Sequence, residues 1–510
     1  MTTGIPILRA LVIYGICVPL AVMVGYLLAN PIDWGSLMFL LAVLVILSIP
    51  FLLKWHQAML LFCWNAAAIA FFVPGRPGFW MVMAGTSLTI SVLQRTILQR
   101  MKFVHVPSVA KPLLFLLLVT FVTARLTGGV GFRIFGGDTF GGRKYLDVMG
   151  AIVAYFALTA HRVPRHRAML YCSLFLLGGV THLIGSLIHV VNPAFYFIFW
   201  IFPAESQPGG GLFEGQRLPG LAAAAISLIF FLIARYGLRG VFLSGKTWRW
   251  LLVLSCTVLA LFSGYRTIFL GLLLTISIMF YLEGMFKSRL LPVLALGGFL
   301  CLLLTLVFLP KMPPMVQRSL AFLPVEVDPE IRASVEETTN WRLQIWREVL
   351  PEVPKNLLLG KGYSLRPTDY LQQQSGLNQS YWNSMIAGDY HSGPLSVVVP
   401  FGLWGVLGFG WMLWAGARML YFNYKFGDPE LQTMNRFLLA AFLTETILFI
   451  FVFGAYSSDL YKFTGLLGLS VALNGGMIRP VRAPVLAKPI PIRVRPSPNS
   501  PQPVPQFSRG

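Results

Sequence analysis

Apolar stretches of about 17 to 22 residues recur from one end of this chain to the other, and they decide most of what it can become. Wound as a helix at ~1.5 Å per residue, a run of that length matches the ~30 Å hydrocarbon core of a bilayer. In lipid every backbone N–H and C=O must be satisfied within the protein, which leaves helices or closed barrels. Candidate spans fall near 8–29, 35–53, 57–74, 78–95, 112–126, 147–161, 168–190, 220–237, 248–264, 266–284, 289–310, 392–421, 434–456 and 459–477. The expected fold is an all-α polytopic membrane protein of about 12–14 transmembrane helices. The segment 194–202, AFYFIFWIF, is too short to span and is expected at the interface or as a re-entrant piece.

Composition agrees: 56% of the 510 residues are hydrophobic and 12% charged, where soluble domains carry about a quarter charged residues. A formal charge of +21 raises the question of nucleic acid. The basic residues, however, sit in short clusters between apolar runs, which is the charge pattern of membrane topology and not of a nucleic-acid footprint. Cys17, Cys63, Cys172, Cys256 and Cys301 fall in five different runs, so all five are expected to be small buried apolar residues outside any metal site or disulfide framework. The first run, about residues 10–29, lacks a small-residue cleavage site and is expected to stay as a signal anchor.

Orientation follows from Lys and Arg in the short connections. A cytoplasmic N-terminus puts Lys54, then Arg95, Arg100, Lys102 and Lys111, then Arg162, Arg165 and Arg167, then Arg239, Lys246 and Arg249, then Lys287 and Arg289, then Arg418, Lys425 and Arg436 inside. Both termini come out cytoplasmic. The chain then divides into an N-terminal bundle (1–310), a large external loop (311–390), C-terminal helices (391–477) and a tail (478–510). The loop carries eight basic and nine acidic residues. Within it NWRLQIWREVLPEVP reads as a short amphipathic helix with Asn340 as N-cap, Pro351 as stop and Trp341 and Trp346 suited to the membrane surface. The tail has nine prolines, six basic residues and no acids, and is expected to be disordered and drawn to anionic headgroups.

On this topology His391, in GDYHSGPLSVVVPFGLWG, marks where the external loop re-enters the membrane. Ser392 is a reasonable cap and Pro394 suits a first turn. Free N–H groups and the positive dipole end attract phosphate and disfavour imidazolium, so a neutral histidine there can take a proton. A plain helix cap remains the alternative, as does a packing face for Gly402, Gly405 and Gly408. Asp389 could orient the imidazole or simply be solvated.

Arg266 at a tight turn, Arg217 opening another span and Arg342 on the loop helix all face the same leaflet as His391. Arginine keeps its charge when buried and offers a fork of donors to phosphate, so the three form a candidate cationic pocket; separate snorkelling arginines are the alternative. His182 and His189, seven apart, are expected inside the bundle, and Glu336 and Glu337 on a solvated face. A Walker motif and a strand-borne GxGxxG are both absent, which argues against nucleotide chemistry.

HSGPLSVVVPFGLWG, with His391, Ser392, nine residues, Gly402, two residues and Gly405, resembles the His-(Asn/Ser/Gln)-x9-Gly-x-x-Gly signature of the O-antigen ligase and O-antigen polymerase family. SGYRTIFLGLLL, QRLPGLAAAA and WRLQIWREVLPEVPKNLLLGKGYS are similar to its arginine segments and loop text. The resemblance covers roughly 210–410; many members have an Asn where Ser392 stands. It implies a GT-C-like membrane glycosyltransferase that moves a glycan from a polyprenyl diphosphate carrier to an acceptor outside the cytoplasmic membrane of a bacterium, with neither cofactor nor metal. The acceptor would be a lipid such as lipid A core, a protein or a growing glycan. His391 would be the general base and Arg217, Arg266 and Arg342 would hold the diphosphate, with Asp389, Ser392, Gly402 and Gly405 in support. A repeat-unit polymerase stays open within the class, and a flippase of lipid-linked sugars outside it.

Overall fold

A computed structural model describes residues 18, 21–23, 25, 34–73, 75–97, 103–128, 142–205, 218–289, 291–323, 327–364 and 388–479. The chain divides into two units, Met1–Ile478 and Arg479–Gly510; all that follows concerns the first. The second is the tail expected from composition and, past Arg479, lies outside the described residues.

The described residues form helices and no strands. In chain order these are α1 (Trp34–Trp64), α2 (Phe79–Ile97), α3 (Pro107–Leu126), α4 (Gly142–Thr159), α5 (Ala168–Leu177), α6 (His182–Val191), α7 (Pro219–Phe242) and α8 (Thr247–Leu261). Then come α9 (Arg266–Leu282), α10 (Leu291–Phe308), α11 (Pro314–Leu320), α12 (Pro329–Val349), α13 (Glu352–Lys355), α14 (Gly393–Phe426), α15 (Gln432–Phe451) and α16 (Tyr456–Asn474). Six stretches are long and apolar enough to cross a membrane: Pro107–Leu126, Arg165–Ile188, Pro219–Phe242, Leu291–Lys311, Gly393–Phe426 and Pro429–Phe451. The protein is an all-α polytopic membrane protein.

Small residues set the packing, as they must where lipid removes the hydrophobic drive between helices. α16 lies on α4, and a Cβ on Gly468 would come within 2.7 Å of Leu158. α14 crosses α3 at Gly408, where a Cβ would meet Leu116 at 2.8 Å. At one end of the bundle Asn423, Asn435 and Asn474 tie α14, α15 and α16 together: Asn435 Nδ2 donates to Asn474 Oδ1 at 3.0 Å and to the Asn423 carbonyl at 3.1 Å. α10 runs exposed along its length.

Two spans are broken, and each break is repaired. α7 kinks at Gly237 (φ 66°), and the freed N–H groups of Leu238 and Arg239 donate to the Glu283 carboxylate at 2.8 and 3.0 Å. α14 breaks at Gly402 (φ 60°, ψ −155°), where Leu403 N–H donates to the Leu357 carbonyl. Lys361 and Gly362 N–H donate to the Val399 and Pro400 carbonyls at 2.8 and 2.9 Å. In hydrocarbon an unpaired backbone group costs several kcal/mol, so these partners are what permit the breaks.

Several expectations need correction. The spans at 35–53 and 57–74 are one helix, α1, passing through Lys54, followed by an irregular segment with a bridge between Ile69 and Gly78. The helix runs on through both Pro50 and the isolated lysine. The span expected at 168–190 is present as Arg165–Ile188, with a 3-10 stretch at Gly178–Thr181, and the short segment after it is a 3-10 helix, Pro193–Trp200, started by the Asn192 side chain accepting from Ala194 N–H at 2.8 Å. Cys63, Cys172 and Cys256 are buried, but Cys301 on α10 is exposed, and Cys17 lies outside the described residues. The loop helix begins a dozen residues before Asn340: Asp328 caps it by accepting from Glu330 N–H at 2.9 Å, with Pro329 in its first turn.

Candidate active site

The site grows from the way α12 lies against the start of α14. Ile345 and Val349, one turn apart, bury their side chains with Tyr390, Leu395 and Val399. Trp341 and Trp346 close the edges of this small core. The Trp346 indole donates to the Tyr390 carbonyl at 2.9 Å, so the loop helix grips the residue just before His391.

The turn it grips is unusual. Gly388 (φ 57°) and His391 (φ 51°) both take the left-handed region, where a non-glycine residue stores about 1–3 kcal/mol of strain. Asp389 Oδ1 accepts from His391 N–H at 3.3 Å, holding the turn. Its distance to His391 Nδ1 is 4.0 Å, too long for a hydrogen bond, so the carboxylate acts on the ring by charge. Ser392 stands at the N-cap of α14 without a side-chain capping bond. Ser396 does the local tying instead, donating to the Gly393 carbonyl at 2.7 Å and accepting from Tyr456 N–H at 2.9 Å. Gly393 presses on Phe449, and a Cβ there would stand 2.1 Å from the Phe449 carbonyl oxygen.

The imidazole sits between Trp341 and Phe453, with ring centroids 4.9 and 5.1 Å away. Burial among them pushes its pKa below the ordinary histidine value; Asp389 opposes that shift and Arg342 adds to it. A neutral imidazole beside a cation is the state a proton acceptor needs.

Arg342 lies over the Phe453 ring at 5.8 Å and, with Arg266 and Arg318, lines a cavity of about 430 Å³ between α9, α11 and α12. Arg266 is the first residue of α9, following the tight turn at Ser263–Tyr265. Burial lowers the pKa of Arg342, and the charge of Arg266 lowers it further while Asp389 opposes. Two guanidiniums close enough to feel each other make a site for an anion carrying more than one charge. Three polar atoms here are buried without a partner among the described residues: Trp341 Nε1, Arg342 Nε and His391 Nδ1. In a folded protein such atoms ask for a ligand or water.

The structure thus brings together Arg266, Arg342, Asp389, His391 and Ser392. Arg217 lies outside the described residues. Gly402 lies elsewhere, at the break in α14, where a Cβ would meet the Leu357 carbonyl oxygen at 2.6 Å. Gly360 completes this joint, its φ of 78° and a Cβ distance of 2.1 Å to Pro400 oxygen admitting no side chain. Gly405 abuts Phe401 one turn further on. Gly402 therefore locks the loop to a spanning helix, Gly405 packs within that helix, and neither touches the ring. His182 pairs through Nδ1 with Glu205, and the side chain of His189 lies outside the described residues.

Arg318, Phe453 and Lys144 escaped the sequence. Lys144 Nζ stands 5.3 Å from the Tyr363 ring and its charge acts on Asp389. A short helix with one arginine, an aromatic between two spans and a lysine at a helix start carry no motif; only the fold gathers them.

Fold and side chains together define a class: a helical membrane protein with an arginine-lined cavity and a histidine at one end of its bundle. Residues 250–410 match the family model described as O-antigen ligase, and that stretch contains Arg266, Arg318, Arg342, the loop helix and His391 through Gly405. The match covers about a third of the chain, and over that stretch the chain is similar to O-antigen ligases. No curated protein matches it.

Proposed function

We propose that the protein is a bacterial inner-membrane glycosyltransferase that moves a glycan from a polyprenyl diphosphate to an acceptor hydroxyl on the outer side of the membrane. The observation that carries this reading is the convergence of Arg342 Nε and His391 Nδ1, both buried without a partner among the described residues, beside a cavity lined by Arg266, Arg318 and Arg342. The acceptor oxygen attacks the anomeric carbon, the carbon–oxygen bond to the diphosphate breaks, and the imidazole of His391 takes the hydroxyl proton. Arg266 and Arg342, with Arg217 as a third, hold the charge that grows on the leaving diphosphate, a role a metal plays elsewhere. Asp389 holds the His391 turn, Ser392 stands next to the base at the start of α14, and Gly402 holds the segment that follows the arginine-bearing helix, with Gly405 packed one turn behind it.

The test is reconstitution of the purified protein with one defined polyprenyl-diphosphate glycan and candidate acceptors. Transfer to lipid A core or protein marks a ligase, and lengthening on the carrier marks a polymerase. Full-rate transfer by His391→Ala at normal membrane level would refute the assignment of the base. Movement of the lipid-linked glycan across the bilayer without any transfer would mark a flippase instead.

A further inference from the structure

A second group of ionisable side chains lies deeper in the same bundle, and the reaction just described leaves it unused. Glu445 on α15 and Asp459 and Lys462 on α16 line a cavity of about 260 Å³ whose wall also includes Phe453, the ring that touches His391. Glu445 and Lys462 line a further cavity of about 340 Å³ as well, together with Trp64, Asn65 and His182. The first cavity shares Thr267 with the arginine cavity. Three voids therefore adjoin one another along α9 and α15, and Phe453 in the wall of the middle one packs against His391.

Ionisable residues at membrane depth are costly, and a group of three around a void calls for a polar occupant. Glu445 stands six residues before the end of α15 and Lys462 six after the start of α16, so both sit about 9 Å in from the His391 end. Lys462 Nζ donates to Asp459 Oδ1 at 2.9 Å, and Asp459 Oδ2 accepts from Ala455 N–H at 2.8 Å. Asp459 is thus engaged in structure, while Glu445 lines both inner cavities together with Lys462. The charge balance opposes that of the arginine cavity: two carboxylates against one ammonium suit a donor of hydrogen bonds and repel a phosphate. Thr275 and Thr444 add hydroxyls to the smaller cavity, and in the wall of the larger one the Trp64 indole N–H, fully buried, has no partner among the described residues. Carboxylates, an ammonium, hydroxyls and aromatic faces together fit a neutral, hydroxyl-rich ring.

We propose that the cavity bounded by Glu445 and Lys462 is a saccharide subsite, placed to present an acceptor hydroxyl to His391 from the side opposite the diphosphate. This rests on the glycosyl-transfer reading above.

The experiment uses the full chain in nanodiscs and native mass spectrometry with four probes: undecaprenyl diphosphate, the same carrier bearing a neutral glycan, an alkyl glucoside and the matching alkyl alcohol. Wild type is expected to retain the glucoside over the alcohol, and Glu445→Gln to lose that preference about tenfold while binding undecaprenyl diphosphate as before. Ala441→Leu, which adds volume where both inner cavities meet, is expected to do the same without changing charge, and it decides the matter if Glu445→Gln fails to fold. Loss confined to the glucoside assigns the subsite to the acceptor; loss of only the gain that the glycan gives the carrier assigns it to the donor sugar and overturns the proposed placement. Equal retention of glucoside and alcohol by wild type, or unchanged preference in both variants, overturns the subsite itself. Failure of undecaprenyl diphosphate to bind wild type would count against the arginine cavity alone, so the two readings fall separately.

Discussion

His391 is held where imidazole stays neutral, and the cause is burial between Trp341 and Phe453, with Arg342 adding to it and Asp389 opposing. Removing a general base costs about 10²- to 10⁴-fold, so His391→Ala is expected to lower transfer by that factor at normal membrane level. Because the pKa is depressed, the base stays active below the ordinary histidine value of about 6.5, and the acid limb of the pH–rate profile should lie on the acid side of it. Asp389 raises the histidine pKa, so Asp389→Asn should move that limb to still lower pH. A profile that stays in place would mean that Asp389 only holds the backbone turn through its 3.3 Å bond to His391 N–H. The histidine, Asp389 and Arg266 were legible in the sequence because each sits next to an apolar run at a turn, and Arg342 because it lies on an amphipathic loop helix beside Trp341. Arg318, Lys144 and Phe453 were not, since their proximity is a product of helix packing.

At the scale of elements, α12 and the segment after it act as a clamp whose jaws are the Trp346–Tyr390 bond and the joint between Gly360 and the break in α14. Gly402 occupies a backbone region that only glycine visits readily, and a Cβ there meets carbonyl oxygen at 2.6 Å. Gly402→Ala should therefore lower stability by at least about 2 kcal/mol, read as a drop in Tm, while Gly410→Ala on the same helix, with nothing within 4 Å, should leave Tm unchanged or raise it. Trp346→Phe keeps the ring but removes the donor, and should cost about 1–3 kcal/mol together with a lower transfer rate, since the His391 turn loses its anchor. The breaks themselves were invisible to periodicity. A glycine in an apolar run looks the same whether it packs, like Gly408, or bends, like Gly402.

Across the whole molecule, alternation of direction from α8 onward gathers the turn at 262–265, the start of α14 and the turn at 452–455 at one end. Lys425 and the asparagine network of α14–α16 lie at the other. The charge count assigns the first end to the outside. A cysteine at exposed Lys355 is expected to react with a membrane-impermeant maleimide from outside intact cells, and one at Lys425 only after lysis. The reverse pattern would overturn the topology and with it the reaction on the outer face.

Sequence alone determined that the chain is a helical membrane protein, that a long polar segment interrupts its spans near residue 311, and that His391 heads the span that follows. Those conclusions rest on transfer free energies summed over runs of side chains, which need no neighbours to be evaluated. Tertiary structure alone decided that Gly402 breaks a span and that Gly360 mends it. It also made α1 one helix through Lys54 and set Glu445 and Lys462 around a void adjoining the arginine cavity. Each of these depends on which atoms a backbone group or a charge meets across the bundle, at distances that the order of residues along the chain does not encode one by one.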